Sequence, residues 1–80
     1  MLTASGEVER FEALVLEHSA MLVSFAAALT GSRDEAEDVA QETFVRAWRS
    51  RDRFSGPTAG IGSWLRTVAR NVVIDRHRRG

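Results

Sequence analysis

Residues 32–49, SRDEAEDVAQETFVRAWR, decide the fold because they form the pattern of one amphipathic helix. Apolar and small residues recur there at i, i+3, i+4, i+7 and i+11, and this spacing predicts a helical face that lies in a core. The residues of this face are Ala36, Val39, Ala40, Thr43 and Ala47, flanked by Phe44 and Trp48. Ser32 followed by Glu35 predicts a capping box that begins the helix.

The opposite face of this helix is acidic and polar. At about 100° per residue, one side of the helix collects Asp34, Asp38, Gln41 and Glu42, with Val45 as an apolar residue in its middle. A surface of this composition faces either water or a basic partner.

Apolar stripes on both sides of this stretch predict further helices. Residues 7–18 and 19–30 each carry such a stripe, as two helices or one bent helix, and Gly31 is placed as a C-cap. Residues 50–62 hold the single proline and predict a long loop. The last helix, about 60–79, turns Ile61, Leu65, Val68 and Val72 inward. We expect one all-α domain over residues 1–80, a compact bundle of three to four helices.

Composition argues against several classes of protein. The chain has no cysteine, lysine or tyrosine, and its two histidines are far apart, so we expect no metal, no cofactor and no enzymatic site. His18 is interpreted as an ordinary histidine. Neither an uninterrupted run of eighteen apolar residues nor a basic leader is present, so membrane insertion and a secretory signal are not predicted. We expect a cytoplasmic protein.

The formal net charge of zero conceals a division of charge along the chain. Residues 1–42 hold nine acidic side chains and two arginines, whereas residues 43–80 hold nine arginines and two acidic side chains. This division suggests two partners of opposite charge, with nucleic acid on the C-terminal side. Alternatively, the two halves neutralise each other within the fold.

The last helix is the candidate for nucleic-acid contact. Its outward side presents several arginines and one amide, which suits phosphate contacts with limited base reading, although a solvated face would have the same composition. These residues are Arg66, Arg70, Asn71, Arg76, Arg78 and Arg79. Asp75 lies near the apolar stripe and is expected to pair with an arginine. Phe54, in the preceding loop, is either a core anchor or a ring on which a base stacks.

At this point the sequence resembles a known family. The segments DEAEDVAQETFVRAW, RFSG and SWLRTVARNVVIDRHRR are similar, in order and spacing, to domain 2 of extracytoplasmic-function (ECF) sigma factors of the sigma-70 family. The resemblance implies an alternative sigma factor domain that docks on RNA polymerase and recognises and helps melt the promoter -10 element. It also implies a probable anti-sigma factor as a further partner, and a -35-reading domain that this chain lacks.

The resemblance implies site residues as well. Asp38, Gln41, Glu42 and Val45 match the segment that docks on the basic clamp helices of the polymerase largest subunit. Phe54 and Ser55 match the loop that captures a base flipped out of the non-template strand, and Asn71 matches a base-reading position beside Arg66 and Arg70. The alternatives are a helical protein-interaction module and a helix-turn-helix regulator, although the loop over 50–62 is long for the latter.

Overall fold

A computed structural model describes residues 2–54 and 60–79, with side chains over 6–52 and 60–78. The described residues form three helices, α1 (Leu2–Thr30), α2 (Arg33–Arg49) and α3 (Ile61–Arg79), and a short 3-10 turn, Arg51–Phe54, follows α2. The all-α class predicted from the sequence is confirmed. Each helix packs against the other two.

The first helix is longer and more continuous than the sequence suggested. Of the two alternatives left open for residues 7–30, two helices or one bent helix, the structure shows a single helix, and it begins at Leu2 rather than near Glu7. Two facts explain why the helix is continuous. No glycine or proline interrupts residues 7–30, and the inward spacing continues without a break through Phe11, Val15, Leu22 and Ala26. At about 1.5 Å per residue, α1 accounts for the 41 Å long axis of the molecule.

A tight turn at Gly31 and Ser32 reverses the chain between α1 and α2. Gly31 has φ 75°, and its N–H donates to the carbonyl of Ala27 at 2.8 Å. Ser32 is extended, and its Oγ accepts from the Glu35 N–H at 3.1 Å, as predicted. The reciprocal half of the capping box does not form, because the Ser32 N–H donates to Thr30 Oγ1 instead.

The core lies where α2 meets the other two helices. The predicted α2 stripe and Phe44 are buried, and Trp48 is half-buried. Thr43 is fully buried, and its Oγ1 donates to the Val39 carbonyl at 2.8 Å. In α3, Leu65 and Val72 are buried as predicted, whereas Ile61 and Val68 are only half-buried. Ala69 and Val73, outside the predicted stripe, complete the core in their place.

The segment Gly6–Thr30 of α1 is long and apolar enough, by length and composition alone, to cross a membrane. This is weak evidence for a span, because core helices of soluble proteins meet the same test. Leu22 and Ala26 pack into the helical core, while Leu16, which is 82% exposed, adds to the apolar character from the outer side of α1.

Substitution by alanine is expected to change the free energy of unfolding in opposite directions at Gly6, within α1, and at Gly31, which caps it. Gly31→Ala should lower the free energy of unfolding by about 1 kcal/mol, because an L-residue is strained at φ 75°. Gly6→Ala should raise it by up to about 1 kcal/mol, because glycine weakens a helix interior and, among the described side chains, the added Cβ meets only that of Arg10, at 3.8 Å. Urea denaturation followed by circular dichroism measures both changes, and changes of the same sign would contradict this assignment.

Candidate docking face and nucleic-acid interface

The four residues predicted to contact a protein partner lie together on α2. Asp38, Gln41, Glu42 and Val45 line one cleft of about 470 Å³. Gln41 is exposed and Val45 is 48% exposed, so an apolar side chain is open to solvent among polar ones. We call these four residues the docking face. Arg46, Arg49 and Arg76 complete the cleft, so cations border its carboxylates.

Ion pairs join α2 to the C-terminal half of α3. His77 Nε2 lies 3.1 Å from Glu35 Oε2, and Arg76 Nη2 lies 3.9 Å from Asp38 Oδ2. Among the described side chains, this α2–α3 seam consists of the Asp38–Arg76 and Arg46–Asp75 ion pairs and the Glu35–His77 contact, which is an ion pair only when the histidine is protonated. The predicted pairing of Asp75 with an arginine is therefore confirmed, and it comes from the neighbouring helix.

Arg46 is the branch point of the seam. Its Nη2 lies 3.2 Å from Glu42 Oε2 on α2 and 3.1 Å from Asp75 Oδ2 on α3. The Arg46 side chain is 30% exposed, and its partners are about two-fifths exposed, so solvent screens the attraction. Exposed pairs of this kind contribute roughly 0.2–1 kcal/mol. The seam therefore orients α3 against α2 more than it stabilises the fold.

The predicted DNA contacts of α3 lie on different sides of the helix. Arg70, Asn71 and Arg78 are exposed on the outer side. Arg66 is half-buried toward α1, with Nη1 3.8 Å from Met21 Sδ and Nη2 donating to Ser63 Oγ at 3.2 Å. Arg66 and Arg70 line one cleft of about 300 Å³, together with Phe25, Ser63 and Thr67. The structure thus brings these two predicted DNA contacts together.

The remaining predicted DNA contacts are distributed differently. Arg76 faces α2 and pairs with Asp38, so it borders the docking face rather than the outer side of α3. Ser55 lies outside the described residues, and the side chains of Phe54 and Arg79 lie outside the described side chains. For these three residues, the predicted roles remain predictions.

Sequence reasoning did not single out Arg46 and Arg49, which border the docking face, or Arg51. The Glu42–Arg46 pair has the i, i+4 spacing that stabilises helices, so the sequence contained a local signal for it. The link from Arg46 to Asp75 spans 29 residues and had no such signal. The same holds for the contact between Arg51 and Glu7 of α1.

Comparison with known proteins identifies the family of the chain. Residues 14–80 match the family model of sigma-70 region 2. The chain belongs to the sigma-70 region 2 family.

Three relatives have more specific names. The chain is 43% identical over 75 residues to the ECF RNA polymerase sigma factor SigL of Mycobacterium tuberculosis, a match covering 94% of this chain and 42% of the relative. It is 34% identical to ECF sigma factor BldN of Streptomyces coelicolor, with 92% and 28% covered, and 33% identical to SigE of Mycolicibacterium smegmatis, with 86% and 26% covered. The chain therefore spans less than half the length of these relatives.

A double-mutant cycle tests whether Arg46 links the two helices. Arg46→Gln and Asp75→Asn should each lower the free energy of unfolding slightly, and the pair should couple by roughly 0.2–1 kcal/mol at low salt. The coupling should fall in 1 M salt, because these side chains are partly exposed. Coupling indistinguishable from zero at low salt would show that the contact does not join the helices in solution.

Proposed function

We propose that this chain is domain 2 of an alternative sigma factor of the ECF group, which docks on RNA polymerase and recognises and helps open the promoter -10 element. Family membership supports the assignment to transcription initiation. The observation that carries the finer proposal is that the docking face and the Arg66–Arg70 cleft lie on different helices. One domain can then contact a protein partner and DNA at the same time.

The docking face suits a basic helical partner. The Asp38 side chain is 66% exposed, and Glu42 lies beside it, so a cationic helix can approach both carboxylates. Val45 offers an apolar contact among them, as interfaces commonly combine an apolar centre with a polar rim. We assign this face to the clamp helices of the polymerase largest subunit.

The outer side of α3 suits DNA. Arg70 and Arg78 are exposed cations that can neutralise phosphates, which gives salt-dependent affinity and fixes position along the strand. Asn71 is exposed on the same helix, and an amide can bond to two positions on an adenine edge. Arg66 contacts Met21 and Ser63, so it reaches DNA in a preset orientation.

Melting is assisted by capture of a base rather than by bond chemistry. Extruding a base from a duplex costs a few kcal/mol, and stacking it on an aromatic ring offsets roughly 1–3 kcal/mol. We assign the stacking ring to Phe54 and a neighbouring contact with the captured base to Ser55. Arg78 and Arg79 are assigned further phosphate contacts. Arg76 can contact a phosphate only when it leaves Asp38.

The proposal includes the cellular setting of the longer protein. It acts in the cytoplasm on promoter DNA, a further domain reads the -35 element, and an anti-sigma factor controls its availability.

A helical protein-interaction module would bind a basic partner through the docking face without preferring any DNA strand. A helix-turn-helix regulator would bind intact duplex as a symmetric dimer.

Reversing charge on the docking face tests the first contact. Asp38→Arg with Glu42→Arg should lower affinity for a coiled-coil fragment of the polymerase clamp by at least about tenfold, because like charges would then face each other. Isothermal titration calorimetry measures the affinity, and circular dichroism confirms the helices. The control, Glu9→Arg with Glu12→Arg, makes the same charge change at exposed positions of α1 and should retain binding. Equal losses in both variants would refute the docking assignment.

Removing one amide tests base reading. The probe is a ten-nucleotide single strand that the unsubstituted chain enriches from a random pool. Asn71→Ala should weaken binding to this strand by roughly 1–3 kcal/mol and leave binding to the random pool unchanged. Gln41→Ala removes an exposed amide from α2, outside the Arg66–Arg70 cleft, and serves as the control. If Asn71→Ala weakened binding to both DNA samples equally, Asn71 would be a backbone contact.

A further inference from the structure

The start of the 3-10 turn is fastened to α1 by a four-residue cluster, Glu7, Phe11, Trp48 and Arg51. The Trp48 ring lies 5.0 Å from the Phe11 ring at 66°, an edge-to-face contact between α2 and α1. The Arg51 guanidinium lies over the ring of Trp48, 4.1 Å from the ring centre. Arg51 Nη1 also donates to the Trp48 carbonyl at 2.9 Å.

Glu7 of α1 completes the cluster. Its Oε2 lies 3.2 Å from Arg51 Nε, and the two side chains are about two-fifths exposed. The Nε atom itself is buried and has no hydrogen bond among the described residues, so its contact with Glu7 is an attraction between charges. The Arg51 cation is therefore held by a ring, a carbonyl and a carboxylate, rather than extended into solvent.

This restraint acts where the chain leaves α2. A 3-10 turn of four residues has poor hydrogen-bond geometry and little stability of its own. Arg51 is its first residue and Phe54 its last, so fixing Arg51 fixes the direction from which the turn sets out. The contacts from Glu7 and Phe11 tie that direction to α1, which also packs against α3.

We propose that Arg51 is a positioning residue for recognition of the -10 strand, held by Glu7 and Trp48 so that the backbone of the turn leaves α2 in a fixed direction. The inference rests on the proposed function, because the proposed function names the -10 strand as the ligand of the turn. The alternative role for Arg51 is a direct phosphate contact. The two roles differ in what Glu7 does: a positioning partner supports selective binding, whereas a simple negative charge opposes all DNA binding.

The two roles predict opposite effects of the Glu7 charge on selective DNA binding, so Glu7→Gln distinguishes between them. Its effect on selectivity is measured by fluorescence anisotropy as the ratio of affinities for the enriched ten-nucleotide strand and the random pool. Positioning predicts that this ratio falls roughly two- to fivefold, the range expected for loss of one partly exposed ion pair. Glu9→Gln removes the same charge from an exposed site on α1, and it should raise both affinities alike and leave the ratio unchanged. An unchanged ratio in Glu7→Gln would overturn the proposal.

Arg51→Lys gives a second, independent comparison. Lysine keeps the charge near Glu7 but loses the planar stacking on Trp48 and the fixed hydrogen bond to its carbonyl. A positioning role predicts a lower ratio of affinities, whereas a phosphate contact predicts that Lys retains it. Circular dichroism with thermal melting ensures that both variants are compared in the folded state.

Hydrogen exchange separates this inference from the proposed function. Without DNA, the amides of residues 52–54 should exchange at least about twofold faster in Glu7→Gln than in the unsubstituted chain, because the turn opens locally more often. Unchanged exchange there would overturn the positioning role whatever the DNA measurements show. If exchange rises but the unsubstituted chain enriches no strand from the random pool, the turn is positioned as inferred and the proposed function fails.

Discussion

Burial of one face of α2 between α1 and α3 is the constraint on which the rest of the structure depends. Ala36, Ala40 and Ala47 are small and almost fully buried, so both neighbouring helices approach α2 closely. Thr43 is tolerated among them because its hydroxyl is satisfied by a carbonyl of the same helix. Packing on this face fixes the rotation of α2 about its axis. The same rotation turns Asp38 and its neighbours outward, so the core decides which residues a partner meets.

The sequence allowed prediction of whatever depends on local periodicity. The buried face of α2 and the all-α class followed from spacing alone, since a helix repeats every 3.6 residues whatever surrounds it. In α3 the centre of the buried face was displaced toward Ala69 and Val73, because rotation against two neighbours is set by packing and not by the pattern itself. For residues 7–30 the spacing alone did not decide between two helices and one bent helix, and the structure shows a single helix.

Pairings between distant residues were beyond the reach of sequence reasoning. Glu35 was placed in a capping box by its distance from Ser32, but its carboxylate lies against His77, 42 residues further along the chain. The backbone donor that it would have satisfied found a nearer acceptor in Thr30. A local rule therefore predicted the cap correctly and the use of the carboxylate incorrectly. The candidate site shows the same limit. The docking face could be predicted because its residues lie on one helix, whereas the cations beside it come partly from α3.

The division of charge along the chain allowed two interpretations, and the structure shows contacts between the two halves while leaving Asp38 largely exposed. Among the described side chains, four contacts join the acidic half to the basic half: Glu7–Arg51, Asp38–Arg76, Glu42–Arg46 and, when the histidine is protonated, Glu35–His77. Part of the charge is therefore neutralised within the fold. Partial neutralisation limits long-range attraction to any polyanion. Yet Asp38 remains 66% exposed, with its arginine 3.9 Å away, and such a pair is worth at most about 1 kcal/mol. A cationic partner that makes closer contacts can displace Arg76 at that small cost, and the displaced guanidinium is then free for a phosphate. Internal neutralisation and partner binding therefore compete for the same carboxylates without excluding each other.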